Sequence, residues 1–485
     1  MLHLVRLILL SCLICFSSNG YSFEKELKKV KVNFYASETL SLYEFVLGLG
    51  GKGYSSQTLT EKFYASSFAS DEAQKQLSRL NSVNLSYDYH FNSAVKHRYN
   101  ARQVREIMTM IAARSDSLDD FQRRSFGIIS TKDHKVLFEV LSYFSPIYHE
   151  LFWQPSQSFL QKNIKALTSR AEEIQFEYYF NKVVNFYRSD WDKNIPFEVY
   201  LTPIPFQSGH SLATPQGNLL SVSFLQGQTA DSQLSIVFHE LAHVLYVNQS
   251  AKVQSELEDA FVGSDSLNKN MAYQLFDEAV ATAIGNGWFY QKINGELDKS
   301  SWYHEPTIEK QARAIYSQVE KSLAHDKKLD NDFIAEYVAT YEKNFPSSFR
   351  QVKHILANTK FLCDADKCPE DAIANVFFSK LPLLRSFSTS SPLASAEKQE
   401  EVLDSISTQI FLVNDIAQLK VLIQRLSWIK KLEPDLKANQ ILTNINENGV
   451  AQIILWKSNI ENFADAVELL LSLGQIEEMP KLLQI

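Results

Sequence analysis

Residues 235–246 read Ser-Ile-Val-Phe-His-Glu-Leu-Ala-His-Val-Leu-Tyr, and this stretch constrains the fold more than any other. Leu234, Val237, Phe238, Leu241 and Leu245 recur at helical spacing, so one side of a helix here must be covered by a core. Thr229, Asp231 and Ser232 stand just before it as candidate N-caps. His239 and His243 are four apart and share a face of that helix, with Cβ atoms about 6 Å apart. Two imidazoles so placed can direct nitrogens at one Zn²⁺ at about 2.1 Å. Glu240 follows about 100° further round the axis, which sets its carboxylate beside such an ion, near a water, and not among the ligands. A catalytic zinc takes three protein ligands and keeps one position open. The fold must therefore bring a third ligand to this point.

The segment QLFDEAVATAIGNGWF, 274–289, reads as a helix with Glu278 near its start. Ala279, Ala281, Thr282, Ala283 and Gly285 follow, and small residues let a second helix approach the first closely. Glu258 and Asp259 come sooner in the chain, but within the acidic stretch SELEDA, which reads as a solvated face.

The pair of motifs, H-E-L-A-H and then a helical D-E-A-V-A, resembles the gluzincin group of zinc metallopeptidases, the thermolysin-like architecture. The resemblance covers roughly residues 195–290. It implies His239, His243 and Glu278 as ligands of one zinc ion, Glu240 as general base, and a peptide or protein as substrate. It also implies an upstream sheet whose edge strand pairs with the substrate backbone. NLLSVSFL, 218–225, stands in the right order for that strand, with Leu220, Val222 and Phe224 as its substrate-binding residues. Tyr303 and His304 in SWYHEP are the candidate oxyanion donors, with Tyr316, Tyr337 and His210 behind them.

There are departures from the pattern. Thr282 stands where thermolysin places an aspartate four residues beyond its ligand glutamate, so support for a histidine must come from elsewhere. Tyr246 and Gln249 occupy the glycine and third-histidine positions of the metzincin extension, which is therefore absent. Two other readings stand beside the enzyme. In one, the histidines are surface residues of a core helix. In the other, the site holds zinc without catalysis, in a peptide-binding or scaffold protein.

Around this core the expected fold class is α+β and predominantly helical, in two or three domains for a chain of 485 residues. Arg6 followed by the apolar run 7–16 and then small residues reads as an export signal over 1–22. A periplasmic or extracellular location follows, with no membrane span beyond that segment. Leu9-Leu10-Ser11-Cys12 also resembles a lipoprotein cleavage box, the alternative ending. The export reading leaves Cys363 and Cys368, in CDADKC, as a small-loop disulfide.

Residues 23–190 read as a mostly helical region, 191–360 as the peptidase-like core, and 361–485 as a helical or small α/β region. Within the last, TQIFLVNDIAQLKVLIQRL and AQIILWKSNIENFADAVELL share one pattern: an apolar strand, a polar cap and an amphipathic helix. Gly48, Gly50, Gly51 and Gly53 lack the Gly-Lys-Ser/Thr ending of a phosphate loop and read as a helix end. A net charge of −8 without a basic block argues against nucleic acid as a partner.

Overall fold

The computed structural model describes residues 31–53, 56–90, 101–206, 213–363 and, with breaks, 373–484. The expected export signal, Cys12, His210 and Cys368 lie outside the described residues. The chain is α+β and mainly helical, with two mixed sheets and one short hairpin.

The first sheet positions the site. Strand β1, Val32–Ala36, leads into helix α1, Glu38–Leu49, whose N-cap Ser37 accepts from Leu40 N. A helical lobe follows: α2 Gln57–Tyr64, α3 Asp71–Leu80, the short hairpin β2 Asp88–His90 and β3 Ala101–Gln103, α4 Val104–Ala113, α5 Leu118–Arg124 and α6 Thr131–Tyr148. A π-helical turn, His149–Trp153, joins α6 to α7, Gln154–Glu173, and then comes α8, Phe176–Tyr187. Strand β4, Phe197–Ile204, and the hairpin of β5, Ala213–Gln216, and β6, Leu219–Leu225, complete the sheet. Gly217 turns that hairpin at φ +61°, a left-handed conformation that suits glycine.

The strand order is β1-β4-β6-β5, with β5 the one antiparallel member. Alternation along the strands sorts their side chains by face. Phe34, Val199, Leu201, Leu220, Val222 and Phe224 enter the large core. Tyr200 and Leu219 pack into the core of the helical lobe on the other side.

This order corrects one expectation. The strand 218–225 is not an edge: β6 lies between β4 and β5. Leu220, Val222 and Phe224 are 1%, 0% and 0% exposed, so they pack the core and cannot line a substrate. The reason is the hairpin itself. Folding β5 back onto β6 covers one side of that strand while parallel β4 covers the other. The edge on the hairpin side is β5, and it packs against the next helix, α9, Ala230–Val247.

Beyond α9 come α10, Ala251–Val262, and α11, Lys269–Thr282. From α11 the helix runs on through a seven-residue π-helical segment, Ala283–Phe289, into α12, Tyr290–Asn294. Helices α13, Pro306–Ala324, and α14, Asn331–Asn344, pack around it. A short α15, Val352–Ile355, precedes the second sheet.

That sheet contains β7 Asn358–Leu362, β8 Ser386–Ser390, β9 Thr408–Val413, β10 Gln440–Ile445, β11 Ala451–Trp456 and β12 Lys481–Gln484. Its order is β12-β10-β11-β9-β7-β8. The two similar segments seen in the sequence form β9 with α16, Ile416–Arg425, and β11 with α17, Phe463–Leu473. β9 and β11 lie parallel and adjacent.

The boundaries drawn at 190 and 360 do not separate packing units. β1, from the region read as a helical N-terminal part, is built into the core sheet, and β7 begins before 360. One continuous core runs from Phe34 to Ile476. Cys363 is disulfide-bonded. Among the described residues no helix is long and apolar enough to cross a membrane.

Candidate metal centre

Helix α9 starts where the Thr229 side chain accepts from Ser232 N. Its apolar stripe, Leu234, Val237, Phe238, Leu241 and Leu245, is at most 1% exposed and fixes the helix rotation. That rotation carries His239 and His243 toward α11, and the ligand atoms of His239, His243 and Glu278 all fall within 4.8 Å of one another. The Nε2 atoms of the two histidines stand 3.1 Å apart. Glu278 Oε2 lies 3.8 Å from the Nε2 of His239 and 3.6 Å from that of His243. The group is close enough to hold a metal ion.

What lets α11 come so near is a glycine. A Cβ added at Gly285 would meet Cβ, Cα and N of His239 at 2.6, 2.7 and 2.7 Å. Ser235 Oγ, one turn before His239, donates to the Gly285 carbonyl at 2.9 Å and ties the crossing. Phe238 and Phe289 stack beneath it with centroids 3.9 Å apart.

The far nitrogen of each histidine has its own acceptor. His243 Nδ1–H donates to Asp277 Oδ2 at 2.9 Å. His239 Nδ1–H donates to Asn286 Oδ1 at 3.1 Å. Both Nδ1 atoms are thereby anchored away from Glu278 and both Nε2 atoms turned toward it, the arrangement found around metal-ligating histidines. Thr282 takes no part: its hydroxyl is buried and makes no hydrogen bond.

Asp277 and Asn286 were not singled out from the sequence. Asp277 carried a faint signal as the residue before Glu278. Asn286 carried none, because it reaches His239 only through the π-helical register, in which the extra residue per turn re-aims the side chains.

Electrostatically the cluster is short of positive charge. Burial raises the Glu240 carboxyl; His243 opposes this, Glu278 and Asp277 reinforce it, and the result is about 7. Burial alone would lower His243, but Asp277, Glu278 and Glu240 outweigh it and push that imidazole up to about 10. Asp277 Oδ1 is a further buried carboxylate oxygen that accepts no hydrogen bond. Two imidazoles and a carboxylate, backed by two more acids, make a donor set suited to a divalent cation, which competes with the proton on His243.

Of the expected oxyanion donors, Tyr303 comes to the site, its ring stacked on His239 with centroids 6.1 Å apart. His304 stacks on Tyr303 at 4.5 Å and so stands one ring further out. Tyr337 is fully buried in the core. Tyr316 donates to Gln291 Oε1 at 2.5 Å. Neither is at the cluster. Glu258 accepts from the Tyr273 hydroxyl at 3.2 Å, and neither it nor Asp259 belongs to the metal-binding group. A second His-Glu pair in the sequence, His149-Glu150 in YHELFW, lacks a second histidine and lies elsewhere, where His149 Nδ1 meets Glu38 Oε1 at 2.7 Å.

Removing the outer acceptors has a measurable result. Asp277→Ala and Asn286→Ala are each expected to weaken metal binding about 10- to 100-fold, as losses of such partners typically do. Competition with a chromophoric chelator reads this directly, and unchanged affinity in both variants would count against the assigned tautomers.

No family model matches the chain, and neither the curated proteins nor the solved structures include a match to it. The site therefore rests on its own geometry.

Proposed function

We propose that this protein is a zinc-dependent metallopeptidase of the gluzincin kind, exported from the cell. The observation that carries the reading is the convergence of His239, His243 and Glu278 within 4.8 Å, with each Nδ1 anchored. Glu240, the neighbour of a ligand, stands half-buried beside it. The helix order, a sheet followed by the histidine helix and then the glutamate helix, is compatible with a thermolysin-like core.

His239, His243 and Glu278 would hold the ion. Zinc in such a site polarises a carbonyl and brings the pKa of a water toward 7. Glu240 takes the proton of the water that attacks the peptide carbonyl, and delivers it to the nitrogen as the C–N bond breaks. Tyr303 is assigned as the donor toward the developing oxyanion. Because β6 is interior, the role of pairing with the substrate passes to the edge strand β5, beside α9.

The test is zinc content by mass spectrometry together with cleavage of a broad peptide library. One equivalent of zinc, and hydrolysis abolished by a chelator and restored by zinc, are expected. Wild-type protein that neither holds zinc nor cleaves any peptide refutes the reading. Zinc without hydrolysis makes it a metal-holding binding protein.

A further inference from the structure

On the sheet face opposite α9 lies a cavity of about 100 Å³, closed on one side by α1, α4 and the end of α6 and on the other by β4, β5 and β6. Its sheet wall is polar: Thr202, Thr214, Gln216, Ser221 and Ser223 all line it. A sheet face covered by helices is normally apolar. Buried polar groups that lack partners are costly. Gln216 is 8% exposed, and its Oε1 is buried and accepts no hydrogen bond.

Glu44 of α1 lines the same cavity, beside Ser221. Burial pushes that carboxyl up to about 7, and the hydrogen bond from Ser221 is what opposes the rise. The other charged groups in the wall are engaged elsewhere. Arg105 Nη1 donates to the Lys52 carbonyl at 2.9 Å, and Glu106 accepts from Gln103 N at 3.3 Å as part of a helix cap. The Arg105 and Glu106 charges offset one another, which leaves the cavity with the Glu44 carboxylate and a set of neutral oxygens, one of them an amide oxygen that accepts no hydrogen bond.

We propose that this cavity binds a compact monovalent cation, an alkali ion or a primary ammonium, through Glu44, Gln216 Oε1 and the surrounding hydroxyls. The donor set consists of oxygens, which both kinds of cation accept. A single carboxylate matches a single positive charge. The volume admits several waters or a small organic cation. Occupancy ties α1 of the helical lobe to the sheet, so its effect is on stability and is independent of the metal centre.

The experiment measures the unfolding midpoint of the full chain in rubidium chloride, methylammonium chloride and choline chloride at equal ionic strength. Choline, whose quaternary nitrogen has no N–H to donate and whose charge is shielded by methyl groups, serves as the reference. Rubidium or methylammonium is expected to raise the midpoint by about 2 °C over choline, and Glu44→Gln to abolish the difference. Whichever salt acts identifies the kind of cation. No difference from choline, or the same difference in Glu44→Gln, overturns the proposal. If Glu44→Gln does not fold, wild-type crystals soaked in each salt decide. Anomalous rubidium scattering, or methylammonium density, in the cavity supports the site, and ordered water only overturns it.

Discussion

Glu240→Gln is expected to lower kcat/KM for peptide hydrolysis by about 1000-fold, within the range general-base residues contribute, while zinc content stays at the wild-type level. Glutamine keeps the size and the hydrogen-bonding shape of glutamate but cannot take up a proton at neutral pH. The ligands are other residues, His239, His243 and Glu278, so the ion has no reason to leave. Glutamine also removes a half-buried carboxylate that Glu278 and Asp277 repel, a change that favours the folded state. The split between lost turnover and retained metal is the discriminating result. If Glu240→Gln cleaves as fast as wild type, Glu240 is not the base. If it loses zinc as well, the change has disturbed the ligands, and Glu240→Asp, with a shorter but still basic side chain, then separates the two effects.

Gly285→Ala is the second large effect, and it acts on the architecture of the site. The new methyl group would sit 2.6 to 2.7 Å from the backbone N, Cα and Cβ of His239. Backbone inside a packed helix cannot swing aside as a side-chain end can, so the two helices must separate. The expected cost is about 3 kcal/mol, the upper end for overpacking. Metal affinity should fall further than stability, because Asn286 is the next residue and Glu278 is on the same continuous helix. Gly287→Ala is the comparison: its methyl meets the Trp302 ring at 2.8 Å and the Tyr316 ring at 3.0 Å, so it strains the same helix without pressing on His239. Thermal melts with and without zinc, alongside a chelator competition, measure both quantities. A Gly285→Ala protein with wild-type midpoint and zinc affinity would show that the close crossing is not what assembles the ligands.

Much of this centre was legible in the chain. The four-residue spacing put both histidines on one helix face, and the stripe of Leu234, Val237 and Leu241 determined which face turned inward. The small residues after Glu278 announced a close helix crossing, and Gly285 is where it occurs. Alternation and the turn Pro215-Gln216-Gly217-Asn218 place a hairpin over 210–225, found from 213 on among the described residues, and the two strand-helix units near the C-terminus followed from alternation and caps. These are all features set by residues within a few positions of one another, so sequence by itself determines them.

What the sequence left open depended on distant parts of the chain. That β6 is interior follows from its pairing with β4, some twenty residues earlier, and with β5, and no property of NLLSVSFL declares how many neighbours a strand has. That β1 joins the same sheet depends on β4, more than 160 positions away in the register Val32 to Phe197. The acceptors for the histidines are of the same sort. Asp277 and Asn286 are ordinary polar residues until tertiary packing and a π-helical segment aim them at His243 and His239. Local spacing chose the residues able to ligate a metal, and long-range packing chose the hydrogen bonds that orient them, because a helix fixes the directions of its own side chains but not what they meet.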